Sequence, residues 1–394
     1  MSNTIIILLC ILILIAYLFD ITSSKTKLPT VILLLALGWG LKQITMIFGF
    51  ELPNITLILP IVGTFGLILI VLEGSIDLEM NSNNAKIIRQ SFFMAIFPLI
   101  LFSATLTYIL MEYANIPLRI ALINSIPLGI ISSAIAIPSA RNFKKQDQEF
   151  IIYESSFSDI FGVILFNFLL INESIHLKAF GNFALQLVII LIVSIIATLG
   201  LSYLLNKINH KIKFIPIIIL IVLIYSISKL FHLPSLIFIL IFGITLANIE
   251  ILKTKSWLKR FNLKRLSAET TKFKDILSEG TFLVRISFFI IFGFLIELED
   301  LKNLDSLFIA IPISLGIYFV RFIFLALIKK LNAPLLFNAP RGLITILLFV
   351  TIDAKNQIEF INNSLITQII IITSILLILA QFQSKEITQP EVEE

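Results

Sequence analysis

Apolar residues run along this chain in long stretches, separated by short charged or turn-forming breaks. Each stretch approaches the roughly 20 residues that a helix needs to cross the hydrocarbon of a bilayer. Barrel strands would instead alternate apolar and polar residues over about half that length. The pattern therefore predicts an all-α integral membrane domain with about thirteen transmembrane helices, near residues 3–20, 28–48, 54–73, 90–112, 117–139, 150–172, 179–206, 212–231, 233–250, 276–297, 304–329, 334–352 and 362–384.

The composition excludes a soluble protein, with 58% hydrophobic residues, 14% charged residues and a mean hydropathy of +1.02. The first stretch is expected to be a true span, because no positive segment precedes Thr4 and no small-residue cleavage site follows Phe19. The net charge of +5 does not indicate nucleic-acid binding, since the Lys and Arg residues gather in loops.

The basic loops all follow odd-numbered spans of this prediction, and the even-numbered loops are short, neutral or acidic. Positively charged loops stay in the cytoplasm, so the N-terminus is predicted outside and the C-terminus inside a cytoplasmic membrane. The agreement also supports the span count, because one missed helix would scramble the alternation. The basic segments are Lys25 with Lys27, Arg141–Lys145, Lys207–Lys213, Lys253–Lys274, and Lys329 with Lys330.

An odd number of spans fits two repeats of opposite orientation, as in many secondary transporters. Repeat one would cover about 3–172, a linker helix about 179–206, and repeat two about 212–384, followed by a short cytoplasmic tail at 385–394. The break from Glu250 to Asp275 carries an amphipathic stretch, Trp257–Phe261, that could lie on the membrane surface.

The fifth and twelfth spans are rich in helix-breaking residues. The fifth holds proline and glycine between Pro127 and Pro138, and its partner under the repeat holds them between Pro334 and Gly342. Crossed discontinuous helices would expose backbone groups to ions or buried side chains. The alternative is that proline and glycine are simply common in membrane helices.

Charged side chains at membrane depth cost roughly 2.5 to 3.5 kcal/mol or more each, so each needs a physical reason. The charges that stand out are Glu73, Glu154, Asp159, Arg321, Arg341 and, closer to a span end, Arg285.

Asp159 is the strongest candidate for an ion-binding residue. It lies about ten residues into its span, with Ser155 and Gly162 on the same helical stripe and Ser158 next to it. Hard oxygen ligands suit a dehydrated cation. Because burial disfavours an ionised carboxylate, a proton and a monovalent cation would compete for it, which produces exchange. The alternative is a structural acid that hydrogen-bonds a neighbouring helix.

The remaining charges suggest supporting roles. Glu154 points about 140° around the helix from Asp159, and an arginine in mid-span needs a counter-charge, so a structural ion pair between Glu154 and Arg321 is predicted. Arg341 could neutralise the carbonyl end of a half-helix. Glu73 is either a second cation ligand or an interfacial carboxylate.

These segments resemble the monovalent cation/proton antiporter superfamily, the sodium/proton exchangers and their relatives. Tyr153–Asp159 is similar to its Glu-Ser-x-x-Asn-Asp signature, and Asn338–Gly342 is similar to its Gly-x-Arg-Gly element. Leu72–Asp77 resembles the acidic end of an early span, and Phe288–Leu298 resembles a later span rich in Phe and Gly. Order and spacing make the resemblance specific, although no single motif is.

The resemblance implies a homodimer in which a core domain moves against a scaffold, and Asp159 as the cation and proton carboxylate. Ser155 and Glu73 would be auxiliary ligands, and no cofactor is expected. The predicted site also includes Ser158, Ser132 and Ser133, and the broken helices would be supported by Arg341, Pro138 and Pro340.

Two departures bear on the ion. Ser158 replaces an Asn or Asp, and Ser132–Pro138 replaces a Thr-Asp-Pro, so a second carboxylate is missing. In the family this goes with electroneutral exchange. The expected cation is Na⁺, with Li⁺ or K⁺ open, since the Ser-Ser sequence resembles potassium-efflux relatives. A cation channel or a sodium-coupled solute symporter of related fold remains the alternative.

Overall fold

The computed structural model describes residues 2–26, 28–48, 58–78, 85–140, 143–172, 177–208, 210, 212–231, 233–248 and 263–383. Over these ranges the regular structure is helical, without a β-strand. The first eight helices are α1 (Ser2–Thr26), α2 (Thr30–Phe48), α3 (Ile58–Ile76), α4 (Ala85–Ala114), α5 (Leu118–Gly129), α6 (Ser133–Ser139), α7 (Lys145–Ile171) and α8 (Leu177–Lys207). The others are α9 (Phe214–Leu230), α10 (Leu236–Ala247), α11 (Leu263–Leu295), α12 (Leu298–Lys302), α13 (Leu304–Leu327), α14 (Ala333–Phe337), α15 (Leu343–Val350) and α16 (Asn363–Gln383).

Within the described ranges, nine segments are long and apolar enough to cross a membrane, with α5 and α6 counted together. Three shorter apolar helices follow the same order along the chain, namely Ile7–Ser23 within α1, α9 and α10. The broken pair α14 and α15 supplies one more segment. The predicted all-α membrane architecture with about thirteen spans is therefore confirmed.

The tenth span begins earlier than the sequence suggested. The stretch up to Asp275 was expected to be a loop, but α11 starts at Leu263 and runs without interruption to Leu295. Leu266, Phe273 and Leu277 are buried at helical spacing, so an apolar stripe packs this otherwise polar stretch against the bundle. The predicted surface helix at 257–261 and the tail at 385–394 lie outside the described residues.

The helices pack as two groups. Helices α1–α3 and α8–α11 pack mainly on one another, and we call them the scaffold group. Helices α4–α7 and α13–α16 form the core group. Helix α3 lies between the two and contacts α6, α7 and α15. Inside the scaffold group, a Cβ added at Gly293 would overlap the backbone of Leu35, so α2 and α11 meet backbone to backbone.

Both predicted helix breaks are present. The fifth span is extended from Ile130 to Ser132, between α5 and α6. The twelfth span is interrupted between Phe337 and Leu343, where α14 ends and α15 begins. The Ser132 N–H donates to the carbonyl oxygen of Pro340 at 2.9 Å, so the two breaks lie against each other. This crossing places helix ends, whose terminal backbone groups lack intrahelical partners, in the buried middle of the core group.

Candidate ion-binding site

Asp159 lies on α7 beside the crossing and is 2% exposed. The Ser133 hydroxyl, at the first residue of α6, donates a hydrogen bond to its Oδ2. Its Oδ1 is buried without a hydrogen-bond partner. No ion pair among the described residues engages this carboxylate. Asp159 therefore keeps one buried acceptor oxygen that no described group of the protein satisfies.

The other serines predicted for the site have different surroundings. Ser132 Oγ is buried without a hydrogen-bond partner, one residue before Ser133. Ser158 Oγ accepts from the Ile131 N–H at 3.0 Å and so supports the extended segment of the fifth span. Ser155 Oγ donates to the carbonyl of Ile151 at 2.7 Å, a bond within its own helix. Of these serines, Ser133 contacts the Asp159 carboxylate and Ser132 keeps an unpartnered oxygen next to it in sequence.

A glycine allows the broken helix to approach Asp159. Gly162 lies one turn along α7 from Asp159, and a Cβ added there would overlap the Ile130 side chain. Ile130 begins the extended segment that leads to Ser133. Only a residue without a side chain leaves room for this approach, which places Ser133 within hydrogen-bond distance of Asp159.

The structure brings Glu154 and Arg321 together, as the sequence predicted. The guanidinium of Arg321 on α13 forms two bonds to the carboxylate, 2.6 Å to Oε1 and 2.8 Å to Oε2. Its Nε also donates to the carbonyl of Leu335 in α14, at 2.8 Å. The pair is almost fully buried, with side chains 2% and 3% exposed. It joins α7, α13 and the first half of the twelfth span.

Arg341 lies at the twelfth-span break and caps the end of α5. Its Nε donates to the carbonyl of Leu128 at 2.6 Å, and a terminal nitrogen donates to that of Gly129 at 3.2 Å. The other terminal nitrogen donates to Ala339 at 2.8 Å. A positive charge at a helix C-terminus complements its partial negative charge. The arginine therefore satisfies carbonyls that a broken helix leaves without intrahelical partners.

Glu73, near the end of α3, faces α11 and is partly buried. Its neighbours include the hydroxyls of Ser278 and Thr281 and the charged groups of Arg285 and Asp77. Helix α3 meets α7 one residue further along, where a Cβ on Gly74 would lie 3.2 Å from Ser156 Oγ. Glu73 thus belongs to the boundary between the scaffold and core groups.

Two cavities open at opposite ends of this boundary. One, of about 210 Å³, is lined by residues of the α1–α2 connection, by α6 and by Arg285. We call it the basic-face cavity, because Lys25 and Lys27 lie between its lining residues Ser23 and Leu28 in the sequence. The other, of about 490 Å³, lies among the beginning of α3 and the ends of α11 and α15. Pro138 lines the basic-face cavity, and Pro340 accepts the bond from Ser132.

Sequence reasoning missed several polar residues that hold the crossing or join the helices around it. Thr373 Oγ1 accepts from the Arg341 N–H at 3.1 Å, and Thr345 Oγ1 donates to the carbonyl of Pro127 at 3.1 Å. Arg119 donates to the carbonyls of Leu169 and Asn172 at the end of α7. A threonine in an apolar span gives a weak signal, because its hydroxyl commonly bonds its own helix.

The chain matches the family described as sodium/hydrogen exchanger, transmembrane, over residues 10–385. No curated protein sequence matches it. In structure it is similar to the sodium proton antiporter MjNhaP1 from Methanocaldococcus jannaschii at pH 8, with a TM-score of 0.66 and 18% identity over 97% of this chain and 96% of the other. A second MjNhaP1 structure, from electron microscopy, gives a TM-score of 0.63 and 20% identity over 97% and 95%.

The structural matches extend over almost the whole of both chains and show the fold, that of a sodium/proton antiporter. The family match covers nearly all of the sequence, including every segment of the candidate site. The chain therefore belongs to the transmembrane sodium/hydrogen exchanger family, and is a multi-pass cation/proton antiporter and not an enzyme.

Proposed function

We propose that this protein exchanges one monovalent cation, Na⁺ in the first place, for one proton, and that both compete for Asp159. The observation that carries the proposal is the buried carboxylate with one unpartnered oxygen beside two crossed helix breaks. Burial disfavours the ionised form unless a positive charge is present, so the carboxylate holds either a proton or a cation. Competition at one group couples the two fluxes.

The ligands of the cation are Asp159 and oxygen atoms at the start of α6. Ser133 already touches the carboxylate, and Ser132 has a buried oxygen without a partner. Ser155, Ser158 and Glu73 supply further oxygen atoms once the core group shifts. Oxygen-only coordination admits Li⁺ and K⁺ as well as Na⁺, so the size of the site decides among them.

The other fully buried charges of the core group, Glu154, Arg321 and Arg341, hold the fold and do not move with the ion. Glu154 and Arg321 neutralise each other, and Arg341 is bonded to backbone carbonyls. Asp159 then changes between a protonated state and a cation-bound state of equal charge. Exchange through it is electroneutral, and an imposed membrane potential leaves its rate unchanged.

Alternating access follows from movement of the core group against the scaffold group. The two halves of the chain, about 3–172 and 212–384, form inverted repeats with the helix at 179–206 as a linker. We place the basic loops in the cytoplasm of a cell whose cytoplasmic membrane holds the protein, with the N-terminus outside. A homodimer joined through the scaffold group would provide a fixed frame.

Reconstitution into proteoliposomes with an internal pH dye tests the proposal. After a proton gradient is imposed, Na⁺, Li⁺ or K⁺ is added to wild type, Asp159→Ala and the control Glu149→Gln, which removes another carboxylate of the same helix. A cation-dependent pH change that Asp159→Ala abolishes and the control retains would support exchange. Cation flux without proton movement would instead favour a channel or a solute symporter.

A further inference from the structure

A polar stripe on α11 extends from the membrane boundary into the bundle. Lys274, Ser278, Thr281 and Arg285 recur at spacings of four, three and four residues, so they share one face of the helix. Lys274 pairs at 2.5 Å with Asp77, which directly follows α3. The deeper members of the stripe face Glu73.

Arg285, the deepest member, acts on two carboxylates. One terminal nitrogen lies 4.0 Å from Oδ1 of Asp20 on α1, and both side chains are mostly buried. The same guanidinium acts electrostatically on Glu73. The distance to Asp20 is at the outer limit of an ion pair, in contrast to the bidentate bonds between Arg321 and Glu154.

The basic-face cavity is bordered both by members of this group and by residues of α6 next to the candidate site. Asp20 and Arg285 line the cavity, together with Ala134 and Ile135 of α6. These residues directly follow Ser133, which holds Asp159. The volume of about 210 Å³ is several times the roughly 30 Å³ that one water occupies in the liquid, so a small cation could enter with part of its hydration.

We propose that Arg285 sets the affinity for the cation, because its positive charge interacts with both the Asp20 and the Glu73 carboxylates. The inference rests on the proposed function, with Glu73 as an auxiliary ligand. An arginine keeps its charge at all working pH values, so it opposes any cation that approaches Glu73. Asp20 offsets part of that charge and draws the guanidinium towards α1. Arg285 thus does not bind the cation itself but controls, through its charge, how readily a cation reaches Glu73 from the basic-face cavity.

Removal of the Arg285 charge and removal of the Asp20 charge must then shift the KM for Na⁺ in opposite directions. Arg285→Gln removes the opposing charge and lowers the KM for Na⁺ about five- to tenfold, a Coulomb effect expected within one to two side-chain lengths. Asp20→Asn removes one of the two carboxylates, so the Arg285 guanidinium interacts with Glu73 alone. The KM for Na⁺ then rises by a similar factor. In the double variant the KM stays near that of Arg285→Gln, because Asp20 acts through Arg285. Arg285→Lys keeps the charge and stays within about twofold of wild type.

The experiment measures KM and maximal rate for Na⁺ in proteoliposomes, with Lys42→Gln as the control. Lys42 is a buried basic residue of α2 that pairs with Glu297 at 2.6 Å, near the opposite end of α11, and its loss is expected to leave the KM unchanged. Equal directions of the shift in Arg285→Gln and Asp20→Asn, or lower rates at constant KM, would overturn the inference. Should Arg285→Gln fold poorly, the other two variants test the inference: Asp20→Asn must raise the KM and Arg285→Lys must leave it within about twofold of wild type.

A second measurement separates this inference from the proposed function. The rise in thermal unfolding midpoint with added Na⁺, recorded on purified protein, gives an apparent affinity that does not depend on exchange. The variants should shift it in the same opposite directions. If Asp159→Ala still exchanges, the proposed function fails. The other outcome is that wild type exchanges through Asp159 while Asp20→Asn and Arg285→Gln change neither the KM nor the affinity from thermal unfolding. That result would overturn the role of Arg285 and leave the proposed function standing.

Discussion

The N–H of Ser132 donates to the carbonyl oxygen of Pro340 at 2.9 Å and thereby joins the two broken spans at their breaks. In a membrane, a backbone group without a partner costs several kcal/mol, so each break needs acceptors and donors from the other. Asn338 adds to the junction, because its side-chain amide donates to the carbonyl of Ala136 at 3.3 Å. The crossing is therefore one hydrogen-bonded unit, and it positions Ser133 beside Asp159.

Ser133→Ala is expected to weaken cation binding. The substitution removes the hydrogen bond to Asp159 Oδ2 and an oxygen beside the site. A hydrogen bond to a charged group contributes about 1.5 to 3 kcal/mol, so the KM for the cation should rise at least about tenfold. The measurement is the cation dependence of the pH change in proteoliposomes. Ser226→Ala on α9, whose hydroxyl bonds only the carbonyl of Val222 among the contacts described, serves as the control. An unchanged KM in Ser133→Ala would remove Ser133 from the site.

Arg341→Lys is expected to destabilise the protein although it keeps the charge. Three carbonyls accept from the guanidinium, those of Leu128, Gly129 and Ala339, and they lie on two different segments. A lysine ammonium is a compact donor that cannot reproduce this planar arrangement, so buried carbonyls would lose their partners at about 1 to 3 kcal/mol each. The thermal unfolding midpoint in detergent measures the loss. A midpoint equal to that of wild type would show that charge alone suffices.

Removal of one partner of the Glu154–Arg321 pair is expected to cost about 3 to 5 kcal/mol, because the other charge stays buried without compensation. Glu154→Gln and Arg321→Leu should each lower the unfolding midpoint strongly. The double variant Glu154→Leu with Arg321→Met leaves no charge and should recover much of the loss. Both singles and the double are compared by thermal unfolding. Recovery of exchange in a folded double variant would agree with a structural pair, whereas a folded double variant without exchange would point to a role in transport.

Gly162→Val is expected to disrupt the site through its contact with Ile130. The new side chain would overlap that of Ile130 and push the extended segment, with Ser133, away from α7. Overpacking typically costs about 1 to 3 kcal/mol, so the variant should fold with a lower midpoint and exchange slowly. Ile130→Ala in the same chain provides space and should restore part of the exchange rate. A failure of this rescue, with normal folding, would contradict the proposed contact.

Much of the architecture could be predicted from local sequence. Apolar stretches of membrane length and charged loops after every second span were enough for the number of helices, because the bilayer demands both. Prolines and glycines also located both breaks, at Pro127–Pro138 and Pro334–Gly342. The start of α11 was misplaced, since a polar helix that leaves the membrane looks like a loop when hydropathy is the main signal.

Individual side chains of the site were harder to assign. The cost of burial pointed to Asp159, Glu154 and Arg321 without any contact being known. Their partners depend on which helices are neighbours. The role of Ser158 as an acceptor for the Ile131 N–H, and the contact of Glu73 with α11, follow from packing between segments distant in sequence.

The sequence by itself determined that this is an all-α membrane protein with buried charges and two breakable helices, because the solvent imposes length, polarity and sidedness on each segment separately. Only the tertiary structure decided that Ser133 meets Asp159, that Arg341 caps α5, and that Arg285 lies near both Glu73 and Asp20, with Asp20 and Arg285 lining the basic-face cavity. Each of these contacts joins different helices, and those of Arg341 and Arg285 join helices far apart in the chain. The close approach of Ser133 to Asp159 depends on side-chain volume at positions such as Gly162.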